Sequence, residues 1–246
     1  MSHQEPSPTV SIRLFGKTEL EYCGVSAAED PLRPSMSWLL LKYLVVNRDR
    51  EVELEELLGT IWPDERGANA ENAARVRLNR LRAILKLLDL GGRHGLVLYT
   101  AQKYSLNPDY PIRTDADDFT ALMLRLNRCP IDDPEGLALC EAGLELFRGP
   151  FLKHTKQDFW FDSIQESYYN DFCRLAFRTA ECIAAGGDGD LLPLLSRRVL
   201  DIAPTNLPLH RAVLACFSQL DRETERRRHT TQLMRAGVVS DWLNAM

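Results

Sequence analysis

Residues Asn69–Leu88 read NAENAARVRLNRLRAILKLL. Ala70, Ala74, Leu78, Leu81, Leu85 and Leu88 recur at intervals of 4, 4, 3, 4 and 3. On a helix turning about 100° per residue, that spacing stacks them into one apolar stripe. Asn72, Arg75, Asn79, Arg82 and Lys86 form an opposite, polar stripe. Arg80 and Val76 flank it, and Arg77 lies near the edge of the apolar face. A solvated amphipathic helix ordinarily mixes Glu with its Arg and Lys, yet no acid occurs from Asn72 to Leu88. From Arg66 to Leu88 there are six basic side chains (Arg66, Arg75, Arg77, Arg80, Arg82, Lys86) and one acid, Glu71, inside a chain of formal net charge -5. Local field, not total charge, decides where a phosphate backbone docks.

One face of this helix is therefore built to anchor, and the other projects hydrogen-bond donors along a rod that fits a DNA major groove. Arginine pairs bidentately with guanine and asparagine with adenine. The N-terminal half of such a helix enters deepest. Asn72, Arg75, Val76 and Asn79 are accordingly expected near base edges, and Arg80, Arg82 and Lys86 on phosphates. Lys103, in the hairpin that follows, is a further candidate for phosphate or the minor groove.

Upstream, Val10–Phe15 alternates apolar and polar residues. Gly16 breaks the run, Glu19–Tyr22 makes a second, and Cys23-Gly24 is a turn signal. A small antiparallel sheet is expected. Met36–Val46 then reads as a mostly buried helix, with Trp38, Leu39, Leu41, Lys42 and Val45 at helical spacing. After a polar turn, Glu51–Glu53 reads as a short strand and Leu54–Trp62 as a second helix, ended by Pro63. The loop 63–68 leads into the quoted helix, which Gly91-Gly92 is expected to terminate. Leu96–Tyr99 and Lys103–Leu106 then make a hairpin around Thr100-Ala101-Gln102, of the kind called a wing.

Pro108–Pro111 marks a boundary, beyond which the pattern becomes helical. Candidate helices are Asp117–Asn127, Pro134–Leu146, Trp160–Ala185, Asp190–Ile202, Pro208–Leu220 and Glu223–Ala236. Their lengths and short connections fit paired helices in a solenoid. Residues 1–9 read as a flexible lead-in, 10–110 as a winged-helix domain and 111–246 as a helical-repeat domain. Phe147, Phe151, Phe159, Trp160, Phe161, Tyr168, Tyr169 and Phe172 are expected in the core or at an interdomain seam. Arg226-Arg227-Arg228-His229 is expected on a solvated face.

These features resemble a known arrangement. The segment IWPDERGANAENAARVRLNRLRAIL (Ile61–Leu85) is similar to the second helix, loop and recognition helix of OmpR-type winged-helix domains, with Arg80-Leu81-Arg82 at their recurrent Arg-Leu-Arg. LELFRGPFL (Leu144–Leu152), followed by Trp160, resembles the bacterial transcriptional activator domain, a set of tetratricopeptide-like helix pairs. Together they resemble the SARP family of bacterial activators. The resemblance implies an α+β winged helix-turn-helix domain followed by an all-α tetratricopeptide-like domain. It further implies binding to double-stranded promoter DNA and contact with RNA polymerase or a second copy of the chain. Two places depart from the pattern. Glu53 stands where a Ser or Thr cap is usual, and the wing turn lacks the usual glycine and arginine. No part of the 246 residues resembles a receiver domain or a nucleotide-binding ATPase.

Other classes find little support. There is no glycine-rich phosphate loop, HExxH or GxSxG, and the five histidines are scattered in sequence. The acids Asp115, Asp117, Asp118, Asp132 and Asp133 sit at helix starts, where they complement the helix dipole. The six cysteines form no CxxC pair and read as reduced, mostly buried thiols. No enzyme activity, cofactor, metal or membrane partner is expected, and the location expected is the cytoplasm. The alternative to a DNA-binding regulator is an interaction adaptor whose winged helix has no DNA affinity.

Overall fold

The computed structural model describes residues 8–30, 32–33, 35–62, 70–92, 94–152, 159–186 and 189–237. The lead-in 1–7, the loop 63–68 with Arg66, Asn69 and the stretch 153–158 lie outside the described residues. The described residues fall into two compact units, one within Met1–Thr114 and Leu152–Ser163, the other within Asp115–Phe151 and Ile164–Met246. None of the described helices is long and apolar enough to cross a membrane.

The first unit opens with a four-stranded sheet. β1 (Val10–Arg13) pairs antiparallel with β2 (Glu19–Tyr22), which pairs antiparallel with β3 (Val25–Ala28). The expected antiparallel pair is extended on one edge by β3 and on the other by β7 (Ile112–Thr114), which returns beyond the Pro108–Pro111 stretch to lie parallel to β1, Val10 opposite Ile112. Val10 and Ile12 point inward, and Ser11 and Arg13 outward.

α1 (Met36–Val46) follows, capped by the Ser35 hydroxyl, which accepts from Ser37 N. Nearly all of α1 is buried, including Lys42. The Lys42 ammonium donates to Glu29 Oε2 at 2.5 Å, and both side chains are almost fully enclosed. Glu29 Oε1 also accepts from Ser35 N at 3.3 Å. This buried ion pair ties the α1 entry to the end of the sheet.

β4 (Val52–Glu53) leads into α2 (Leu54–Thr60), whose N-cap Glu53 makes no side-chain cap bond. α3 (Ala70–Lys86) ends the helical core, and its Ala70, Ala74, Leu78, Leu81 and Leu85 are buried as the spacing requires. Each buried leucine contributes about 1.5–3 kcal/mol of transfer free energy. The stop is not set as the sequence implied. The left-handed residue is Asp89, φ 61°, and Leu90 N bonds Leu85 O at 2.9 Å in a Schellman-type closure with Leu90 buried beneath. Gly91 serves packing instead: a Cβ there would stand 2.3 Å from Arg82 O.

β5 (Val97–Thr100) and β6 (Lys103–Leu106) form the hairpin, and β4 pairs with β6, giving a three-stranded wing of order β4-β6-β5. Ala101 and Gln102 both have positive φ, 51° and 64°. They form the two-residue turn whose twist matches the strands, without the glycine such turns favour.

The second unit is helical: α4 (Asp115–Leu126), α5 (Pro134–Leu146), α6 (Asp162–Ala184), α7 (Leu192–Ile202), α8 (Leu207–Gln219) and α9 (Glu223–Arg235). Asp133 caps α5 through Glu135 N, with Pro134 in the first turn. α4 packs with α5, and α7, α8 and α9 pack with one another. Phe147 stacks between Phe119 and Phe172, both centroids 5.0 Å away.

Two of the scattered histidines meet here. Ser196 Oγ lies 2.7 Å from His229 Nδ1, His229 Nε2 lies 2.9 Å from His210 Nδ1, and His210 Nε2 faces the carbonyls of Ala203 and Pro204 at 3.1 and 3.0 Å. The carbonyls only accept, so His210 carries its proton on Nε2. Its Nδ1 then accepts from His229 Nε2–H, and His229 Nδ1 accepts from Ser196. His229 therefore leaves the arginine run for the core, while Arg226 and Arg227 pair outside with Glu223. Of the cysteines, Cys140, Cys182 and Cys216 are buried and Cys23 is exposed, all free.

Two outcomes follow from these buried polar groups. Lys42→Ala should cost about 3–5 kcal/mol in urea denaturation by stranding Glu29, whereas Lys42→Met with Glu29→Leu should recover most of that loss. Burial, reinforced by His210, pushes the His229 imidazole down to about 4 from 6.5. The folded state thus takes up its proton later than the unfolded state. Stability should be full above pH 6.5 and fall by about 2 kcal/mol between pH 7.5 and 5. Hydrogen exchange of the α8 and α9 amides checks this, and His229→Leu should flatten the dependence in that window.

Candidate nucleic-acid interface

The open face of α3 exists because the helix is fixed from behind and from both sides. Behind it, the leucine stripe is buried. On the α1 side, the Ser37 hydroxyl donates to Arg77 O at 3.2 Å, and the Arg77 guanidinium lies 4.4 Å over the Trp62 ring. Arg77 thus faces the core edge, where burial, with Arg80 nearby, pushes its pKa down. α2 is clasped to α1 by Glu56, which accepts from Tyr43 Oη at 2.5 Å and from Arg50 at 2.5 and 2.8 Å. The Arg50 hydrogen bonds hold the Glu56 carboxyl below its usual range.

On the wing side, Arg82 Nη2 donates to Val97 O at 3.4 Å and the guanidinium is half-buried. Tyr104, on β6, is buried, and its phenol is pushed up to about 12, chiefly by burial. Of the polar side chains of α3, Arg82 is thus the one bonded to the wing.

Between the flanks, Asn72, Val76, Asn79, Ala83 and Lys86 are exposed. Arg75 and Arg80 are exposed on either side of this line. The middle of the face is thus short and uncharged over its first turns, with guanidinium groups at its margins. Val76 is 41% exposed, an apolar side chain with no core role. Lys103 stands apart on the wing, its ammonium 3.2 Å from Glu51. Arg75 is engaged by Glu71 at 3.1 Å, one helical turn away. The structure therefore gathers Asn72, Arg75, Val76, Asn79, Arg80 and Lys86 on one open face, turns Arg82 toward the wing and sets Lys103 on the hairpin. The periodicity alone gave no sign of the Val97 contact, because its partner lies 15 residues away.

Among the described residues, Cys129, Asp133 and Glu135 bring possible metal-ligand atoms within 4.8 Å of one another. Asp133 is already spent on capping α5, and Glu135 accepts from Arg125 at 2.6 Å. Local bonding accounts for both acids.

No family model matches the chain, and no curated protein matches it. Among solved structures, Mycobacterium tuberculosis EmbR in complex with a low affinity phosphopeptide superposes on 97% of this chain with a TM-score of 0.62 at 19% identity. The fold is shared with EmbR. This chain spans 64% of that one's length. A winged helix followed by a helical domain is the fold that the sequence resemblance implied.

Proposed function

We propose that this protein is a SARP-type transcription regulator, an activator working in the cytoplasm, that reads double-stranded promoter DNA with α3 in the major groove. The observation that carries this reading is the exposed stripe of Asn72, Arg75, Val76 and Asn79 on a helix whose opposite stripe is buried. Side chains that reach base edges must be held in fixed register, and the leucine stripe supplies that register. Asn72 and Asn79 are assigned to adenine edges, Arg75 to guanine, and Val76 to a thymine methyl. Arg80 and Lys86 contact phosphates, as does Arg82 from its position against Val97. Lys103 contacts phosphate from the wing. The first domain is OmpR-type, and the helical unit is a tetratricopeptide-like activator domain that contacts RNA polymerase or a second copy of the chain.

Fluorescence anisotropy on promoter fragments at several salt concentrations tests this. Binding should weaken steeply with salt, as phosphate neutralisation releases counterions. Arg80→Ala should reduce the slope of log K against log salt by about 1. Arg75→Ala should weaken specific binding by about 5-fold or more with an unchanged melt, whereas Leu81→Ala should cost about 2–5 kcal/mol of stability. Absence of binding at low salt overturns the reading in favour of an interaction adaptor.

A further inference from the structure

Glu71 is the single acid of α3, and it occupies the end of the helix that enters a groove first. Its ion pair with Arg75 is exposed on both sides, 51% and 62%, so it does little for stability. A carboxylate at this position works against phosphate binding, since it repels the backbone that the neighbouring arginines attract. It also fixes the guanidinium. Arg75 Nη2 is directed to Glu71 Oε1, which orients the planar fork while its remaining N–H groups keep the geometry that suits guanine O6 and N7.

An ionised carboxylate can only accept hydrogen bonds. In the major groove the donors are the N4 amino group of cytosine and the N6 amino group of adenine, and Glu pairs characteristically with cytosine. Guanine and thymine present acceptors at the same edge and are rejected by an unpaired charge. Asn72, the adjacent residue, supplies the adenine-type contact.

Resting on the DNA-reading role of α3 proposed above, we infer that Glu71 is a specificity-determining residue. Its carboxylate accepts from the N4 amino group of a cytosine beside the guanine read by Arg75, and it suppresses binding to unrelated sequence. Glu71 and Arg75 together read one G and one C in neighbouring base pairs, with the carboxylate bracing the arginine.

Selection of bound duplexes from a random pool, with the full chain as wild type, Glu71→Gln and Arg75→Ala, tests this. The exposed Glu71→Gln change preserves size and leaves the fold undisturbed. The wild-type motif should contain a cytosine next to the guanine that Arg75→Ala no longer selects. Glu71→Gln should lower that cytosine preference about five-fold or more, loosen the neighbouring guanine preference less, keep the positions outside this pair, and bind bulk duplex more tightly. An unchanged motif with Glu71→Gln overturns the inference and leaves DNA reading intact. A wild-type pool without any enriched motif removes both.

Discussion

Burial of one helical stripe, Ala74, Leu78, Leu81 and Leu85, is the constraint on which the first unit depends. It decides which side of α3 is hidden, and the 3.6-residue period then decides which side is open. The supports around it are polar and local: Ser37 on the Arg77 carbonyl, Trp62 under the Arg77 guanidinium, and Val97 O receiving Arg82. The last two engage arginine side chains at the edges of the polar face. What remains exposed between those edges over the first turns is short and neutral, with cations beside it. Two carboxylates temper those cations, Glu71 on Arg75 and Glu51 on Lys103. The open face of α3 is thus a neutral centre with cations at its margins rather than uniformly basic.

The helical elements were legible in the sequence because their signals are local. Met36–Val46 is bounded by the Ser35 cap and a polar turn, and α5 by Asp133-Pro134 and Phe147. The strands that went unread have short or distant determinants. β3 is Val25-Ser26-Ala27-Ala28, almost wholly exposed, so no buried alternation marks it. β7 is three residues long, and its partner β1 lies about 100 residues upstream, so a proline-bounded stretch read as a boundary instead. Turn chemistry misled in the same way. Asp89, Ala101 and Gln102 take left-handed conformations without being glycine, whereas Gly91 is required by its closeness to the α3 backbone.

Within the candidate site, periodicity located the stripe but could not show where long side chains bend. Arg77 and Arg82 carry the same charge as Arg75 and Arg80, yet packing assigns them to Trp62 and Val97. The Ser196–His229–His210 chain had no local signature at all, because 33 and 19 residues separate the partners. Helix packing alone brings them together. It places a polar network with one direction of proton donation inside α7, α8 and α9, where an arginine run in the sequence pointed to a solvated surface.

In the proposed reading, α3 is locked by its leucines and meets a duplex with the opposite side. Backbone amide and methyl shift mapping of the isotope-labelled protein, titrated with duplex DNA, tests this. Large perturbations at Asn72, Arg75, Val76, Asn79 and Arg80, with the buried leucine methyls nearly unmoved, are the expected result. Perturbations confined to the second unit, with α3 silent throughout the titration, would contradict it.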